Sequence, residues 1–155
     1  ISGGVMNTKY EHALPMKHID VVECGHPVPD EAGVDGVARM VELLEGADEN
    51  TLVICLISGG GSALAPAPAE GLTLVDKQET TSLLLACAAN IVELNAIRKH
   101  LSRLKGGGLA RAAFPATVVA LMLVRREKQL QQTRVAAVVV AHTTMVIMVE
   151  PVVPV

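Results

Sequence analysis

Two stretches of this sequence carry residue types whose spacing suits chemistry. The first is Leu56-Ile57-Ser58-Gly59-Gly60-Gly61-Ser62-Ala63-Leu64. An apolar run ending in three glycines lets successive backbone N–H groups turn toward one point, which suits an anion. Glycine permits positive φ and close approach, and the hydroxyls of Ser58 and Ser62 add donors. The same composition also serves a plain flexible strand exit. The stretch is neither a P-loop, since no Gly-Lys-Ser/Thr follows, nor a GxGxxG dinucleotide fingerprint.

The second stretch runs from Asn95 to Gly108. No acidic residue lies between Glu93 and Glu127, yet Arg98, Lys99, Arg103, Lys105 and Arg111 all fall there. At 3.6 residues per turn, Arg98, Ser102 and Lys105 share one helical face, leaving Leu94, Ile97, Leu101 and Leu104 for the buried one. A basic face at a helix C-terminus is favoured by the dipole in any case, so a solvated role is the rival reading. Two glycine-rich polar loops in one chain, one of them basic, move the balance toward phosphate or carboxylate binding. The candidate contacts are Ser58, Gly59, Gly60, Gly61, Ser62, Arg98, Lys99, His100, Ser102, Lys105, Gly106 and Gly107.

His26, between Gly25 and Pro27, is a candidate orienter or base, or else a loop histidine that satisfies nearby carbonyls. Cys24 and His26 have ligand-like types but no partners, so no metal site is expected. The three cysteines show no CxxC pair. Each reads as a small buried hydrophobe in a reducing compartment.

The elements that must position these loops follow from periodicity. Val5 to Thr8 and Ile19 to Glu23 read as short strands, and Thr51 to Ile57 as a strand buried on both faces. Asp30 suits an N-cap for a helix carrying Val34, Val37, Ala38, Val41 and Leu44, which Gly46 ends. Thr73 with Asp76, and Asn90 with Glu93, each read as an N-cap pair opening a helix. The second of these helices is expected to run through Leu104 and stop at Gly106-Gly107-Gly108. Leu109 to Ala113 then gives a short helical turn, and Ala116 to Val124 a further buried strand. This alternation predicts an α/β, Rossmann-like layered domain with a mostly parallel sheet and helices on both faces, in incomplete form.

Composition sets the outer bounds. The chain has 155 residues, of which 50% are hydrophobic and 19% charged, with a formal charge of −3. That excludes wholesale disorder and argues against a general nucleic-acid binder. One Tyr, one Phe and no Trp require an aliphatic core and leave no base-stacking platform. No segment reads as a targeting signal, and no apolar run reaches the roughly 20 residues of a spanning helix, so a cytoplasmic protein is expected.

Beyond Val124 the text changes. Residues 124–155 contain no Gly and no Asp, whereas every Gly lies at or before Gly108 and every Asp at or before Asp76. Strand-to-helix turns normally need such residues. The expected division is a domain over 1–123 and a divergent tail over 124–155, loosely attached, with its valines exposed in edge-strand form.

The motifs taken together resemble the glycerate 2-kinase family, also labelled MOFRL-associated, some members of which bear the older name hydroxypyruvate reductase. Gly25-His26-Pro27-Val28-Pro29-Asp30-Glu31-Ala32-Gly33, Leu56 to Leu64, Asp76 to Ala88 and Asn95 to Ala110 occur in the family's order and spacing. Ala88 stands where the family usually has Gly, and Cys24 where Ala is usual. The resemblance covers Gly3 to Leu123. It implies an ATP-dependent phosphotransferase, with Mg²⁺, that acts on the 2-hydroxyl of D-glycerate to give 2-phosphoglycerate in a cleft between two domains. It also implies departures. The family's SDVxGD and IASGPT motifs are absent after Leu123, and its Lys-bearing loop would lie upstream of Ile1. An inactive family fragment is therefore expected, with its catalytic residues unassigned. The alternatives are a non-catalytic anion-binding remnant and a hydroxypyruvate reductase. The expected partner is the small molecule glycerate, with neither nucleic acid nor membrane. Whether the two loops meet at one sheet edge is left open by βαβ geometry.

Overall fold

The computed structural model describes residues 1–58, 61, 63–123 and 144–151. Five strands and four helices follow in chain order: β1 (Gly3–Lys9), β2 (Asp20–Cys24), α1 (Glu31–Glu45), β3 (Thr51–Ser58), α2 (Leu74–Ala86), α3 (Ile91–His100), α4 (Gly108–Ala112), β4 (Thr117–Leu123) and β5 (Thr144–Pro151). They build one sheet in the order β2-β1-β5-β3-β4. β1 pairs parallel with β2, and β3 parallel with β4. β5 runs antiparallel to both β1 and β3. Four strands thus share one direction, and the fold is α/β with a mostly parallel sheet.

Strand alternation sorts the apolar side chains onto two faces. Val5, Val53, Cys55 and Ile147 face α1, where they meet Val37, Met40 and Leu44 in an aliphatic core. Met6 and Met148 face the other way, against Met16, Ile19, Val21, Ile54 and Leu56. Met16 and Ile19 lie outside any helix. Among the described residues this second face is packed by loop residues, not by a helix. α2 and α3 each bury one residue, Leu74 and Leu94.

The helix starts behave as their sequences require. Asp30 caps α1 by accepting from the Gly33 N–H at 3.1 Å. Full capping boxes close at Thr73/Asp76 and at Asn90/Glu93. The end of α3 does not follow expectation. The helix stops at His100, because residues 101–103 pair like a strand with 67–69 instead. Ser102 bridges Pro68, the Ala69 N–H donates to the Leu101 carbonyl at 3.2 Å, and the Arg103 N–H to the Ala67 carbonyl at 3.0 Å. That pairing takes the backbone groups that another helical turn would use. Arg98, Ser102 and Lys105 therefore share no helical face. Ala38 is also exposed, and Gly36 takes the inward position on α1.

Two strands differ from expectation in their surroundings. β4, expected to be buried, lies at the sheet edge, with Val119, Leu121 and Met122 exposed at 41%, 50% and 72%. An apolar run signals a strand suited to cover on both faces, not that the cover is present. β5 corrects the loose-tail expectation for its own residues: it lies inside the sheet, and Ile147 is fully buried. Its alternation of Ile147 and Met148 matches both faces, which composition alone did not reveal. The remainder of the tail, 124–143 and 152–155, lies outside the described residues. Cys24 and Cys55 are buried free thiols, and burial pushes both up to about 11. Cys87 is exposed, contrary to expectation, because α2 ends in solvent.

Candidate functional site

The carboxyl ends of β2 and β3 lie at the same edge of the sheet, since both strands run in one direction. At that edge the loop after β2 is tied down by Asp30. Its carboxylate accepts from the Tyr10 hydroxyl at 2.8 Å as well as from the Gly33 N–H. Burial would raise this carboxyl, but hydrogen bonds from Gly25, Tyr10 and Gly33 outweigh it and hold the group below its ordinary value. A second tie comes from α2, where the Gln78 side-chain amide donates to the Pro29 carbonyl at 3.0 Å.

The loop after β3 is fixed from β1. Asn7 is fully buried, and its amide nitrogen donates to the Leu64 carbonyl at 2.7 Å and to the Gly33 carbonyl at 3.1 Å. One side chain thereby joins the two loops. Gly36 makes this possible, since a Cβ there would overlap the Asn7 side chain. Sequence reading missed Asn7, because a lone Asn in a strand carries no motif.

Between these loops and the α2–α3 pair lies a cavity of about 450 Å³. Pro27, Val28, Pro29, Ala63 and Pro66 form the loop side. α2 contributes Lys77, Gln78 and Thr81, and Arg98 and Lys105 close the far wall. No carboxylate is among the described lining residues. The Lys77 ammonium is pushed down to about 8, first by burial and then by the charges of Lys105 and Arg98. Lys105 is lowered too, by burial and by Arg98. Three cations gathered around a cavity with no acid among its described lining residues, two of them with lowered pKa, make a site that favours an incoming anion.

The structure therefore brings together Arg98 and Lys105 from the basic stretch with the ends of both loops. The Gly61 N–H donates to the Ser58 carbonyl at 3.1 Å, and Ala63 lines the cavity. Gly59, Gly60 and Ser62 lie outside the described residues. Lys99 and His100 are exposed and do not line the cavity. His26 is likewise exposed and outside the lining, although Pro27 beside it is part of the wall. Ser102 is buried in the bridge to Pro68 and does not line the cavity either.

Gly106 and Gly107 have left-handed backbones, at φ 60° and 87°, and a Cβ on Gly108 would overlap the Arg103 carbonyl. These glycines turn the chain from Lys105 into α4, and none of them lines the cavity. Lys77 is the lining cation that sequence reading missed. Its position four residues after a Thr cap was visible, but α2's exposed helix gave no sign of which face met the basic stretch.

Among the described residues no group of three or more His, Cys, Asp or Glu side chains could hold a metal ion. No described helix is long and apolar enough to cross a membrane.

Comparison with known proteins gives this geometry a context. Residues 1–124 match the domain of unknown function DUF4147. The D-glycerate 2-kinase of Thermotoga maritima is 48% identical over 124 residues, covering 79% of this chain and 30% of that protein. An Agrobacterium vitis relative whose name points to hydroxypyruvate reductase is 48% identical over 120 residues, 77% of this chain and 31% of its own length. The crystal structure of the Thermotoga maritima glycerate kinase superposes with a TM-score of 0.76 at 47% identity, over 80% of this chain and 30% of that one. The chain thus spans about a third of the length of these relatives. A domain model that takes in four-fifths of the residues, and near-half identity to kinases of one kind, lead to one assignment: the chain belongs to the DUF4147 family and is homologous to part of the glycerate 2-kinases.

Proposed function

We propose that this chain forms the anion-holding α/β part of an ATP-dependent glycerate 2-kinase, converting D-glycerate to 2-phosphoglycerate in the cytoplasm. The observation that carries the reading is the cavity at the sheet's carboxyl edge, where Arg98 and Lys105 converge with the ends of both glycine- and proline-rich loops. Open α/β sheets hold ligands at that edge. Phosphoryl transfer needs positioning and charge neutralisation more than covalent chemistry from the protein, and cations in a partly buried site supply both. The kinase names of the relatives agree with this chemistry.

ATP, when bound, supplies the phosphoryl group that passes to the 2-hydroxyl oxygen. A cavity ringed by cations fits its charge. The described residues do not fit a protein-held Mg²⁺, so no step is assigned to that ion. This chain's own contribution is to hold a carboxylate or phosphate with Arg98 and Lys105, and to keep the two loops registered through Asn7 and Asp30. We further propose that residues 1–123, joined by β5, carry the anion-holding site and that the 155-residue chain alone does not turn over.

The test is an assay of the purified chain with ATP, Mg²⁺ and D-glycerate, beside calorimetric titration of D-glycerate and 2-phosphoglycerate. Saturable binding that Arg98→Met abolishes, without product formation, is the expected result. The name of the Agrobacterium vitis relative favours a second reading, a reductase. NADH oxidation driven by hydroxypyruvate would establish that reading instead.

A further inference from the structure

Lys77 lies within the Asp76 to Ala88 stretch but outside the two stretches read as ligand-binding, yet it lines the cavity beside Arg98 and Lys105. It projects from the first turns of α2 into the same space as Arg98 from α3 and Lys105 from the segment after it. A single carboxylate carries one negative charge, which a bidentate Arg and a Lys already exceed. A third cation is then surplus and self-repelling unless the ligand carries more charge. We propose that Lys77 is a ligand-holding residue of this cavity and that the cavity takes a dianionic phosphate group in preference to a lone carboxylate. The inference rests on the kinase reading and says which kind of group occupies this part of the site.

Charge around Lys77 supports it. The cations facing it are Arg98 and Lys105. On its own helix Asp76 is engaged by Thr73 in the capping box, and Glu79 is exposed. On the opposite loop Asp30 is taken up by Tyr10 and Gly33. No carboxylate is among the described residues that line the cavity. Burial and the two neighbouring cations leave the Lys77 ammonium near 8, so it is only partly charged just above neutrality. An arriving dianion reverses the repulsion and draws a proton onto Lys77. The cavity's volume and its apolar surfaces at Val28, Pro66 and Leu101 also leave room beside a phosphate for the rest of a larger molecule.

Two sources could carry the phosphate, a nucleotide or a phosphorylated three-carbon acid. The experiment is isothermal titration of the full chain with ATP, ADP, 2-phosphoglycerate, inorganic phosphate and D-glycerate, at pH 7 and pH 9. The expected result is that phosphate-bearing ligands bind about tenfold or more tightly than D-glycerate at pH 7, as charge-assisted hydrogen bonds to one more cation allow. Between pH 7 and 9 the preference should shrink in the native chain. Lys77→Gln should remove it at both values, and Lys77→Arg should keep it at both. Because a folding role alone would not move a pH profile, the Lys77→Arg result stands even if Lys77→Gln fails to fold. The tighter of the nucleotide and 2-phosphoglycerate arms identifies the source. D-glycerate binding as tightly as the phosphates, or a Lys77→Arg chain that loses the preference between pH 7 and pH 9 as the native chain does, would overturn the inference while leaving the kinase reading intact. NADH-driven reduction of hydroxypyruvate would instead remove the reading on which it rests.

Discussion

The Asn7 amide nitrogen lies 2.7 Å from the Leu64 carbonyl oxygen, across 57 residues of sequence. Its second bond, to the Gly33 carbonyl, makes β1 the common anchor for the start of α1 and the loop beyond β3. Both acceptors are buried with their donor. Such a side chain cannot be removed without leaving the Leu64 carbonyl unpaired away from water, whereas the Gly33 carbonyl keeps its place in the α1 ladder.

Asn7→Ala is therefore expected to cost about 2 kcal/mol, combining the orphaned Leu64 carbonyl with a small void. Urea denaturation followed by circular dichroism measures it. Because both loops lose their shared anchor, ligand affinity should fall as well. A variant as stable as the native chain would show that these hydrogen bonds carry no net weight.

Lys77 and stability make a second prediction, with the opposite sign. Its folded pKa is near 8 against an ordinary 10.5, so between those values the unfolded chain binds more protons than the folded one. Stability should then rise with pH across that window, and the penalty is fully present below pH 8. Lys77→Met should stabilise the ligand-free chain at pH 7 by about 1 kcal/mol, the whole shift being discounted for the ammonium's remaining solvent contact. Thermal melts at pH 7 and pH 10 would check this, since the native and variant curves should approach one another at the higher value.

Asp30 acts at the other end of the scale. Its carboxyl is lowered below 3.8, so its stabilising effect is present above the unfolded value and is lost as pH falls through the folded one. Asp30→Asn retains a capping side chain but not the charge. The variant should show a flatter acid limb in a denaturation series from pH 5 to pH 2. An acid limb as steep as the native one would assign the loss to other carboxylates.

Lys105→Ala is expected to weaken phosphate binding, and the deficit should shrink as salt rises, since ions screen the charge that it removes. Titrations of inorganic phosphate at low and high ionic strength compare the two proteins directly. A deficit of equal size at both would mean that Lys105 acts through packing.

Much of this arrangement is legible in sequence because local chemistry dictates it. Asp30, Thr73 with Asp76, and Asn90 with Glu93 cap helices through bonds to residues two or three positions on, so spacing alone reveals them. Lys77 and Asn7 are legible only in three dimensions. Lys77 matters through Arg98 and Lys105, and Asn7 through Leu64, all distant in the chain. The end of α3 was misjudged for the same reason. Pairing of Ser102 with Pro68 outcompetes a helical continuation that local periodicity supports.

β5 gives the most demanding prediction, because composition argued for a loosely attached tail. Met148 and Ile147 point to opposite faces of the sheet, and Ile147 enters the core beside Val5, Val53 and Cys55. The strand lies between β1 and β3, which pair with it and not with each other. Removing it would open two inner edges at once and expose both apolar faces. Ile147→Asp places a charge in a fully buried position without a partner, a change that costs several kcal/mol. The expected outcome is loss of the cooperative melt and aggregation of the whole chain, not detachment of its last residues. Limited proteolysis of the native protein should correspondingly spare 144–151 along with the domain, even if it cuts ahead of them. Should Ile147→Asp melt like the native chain, β5 would not hold β1 and β3 together, and residues 1–123 would have to be stable without it.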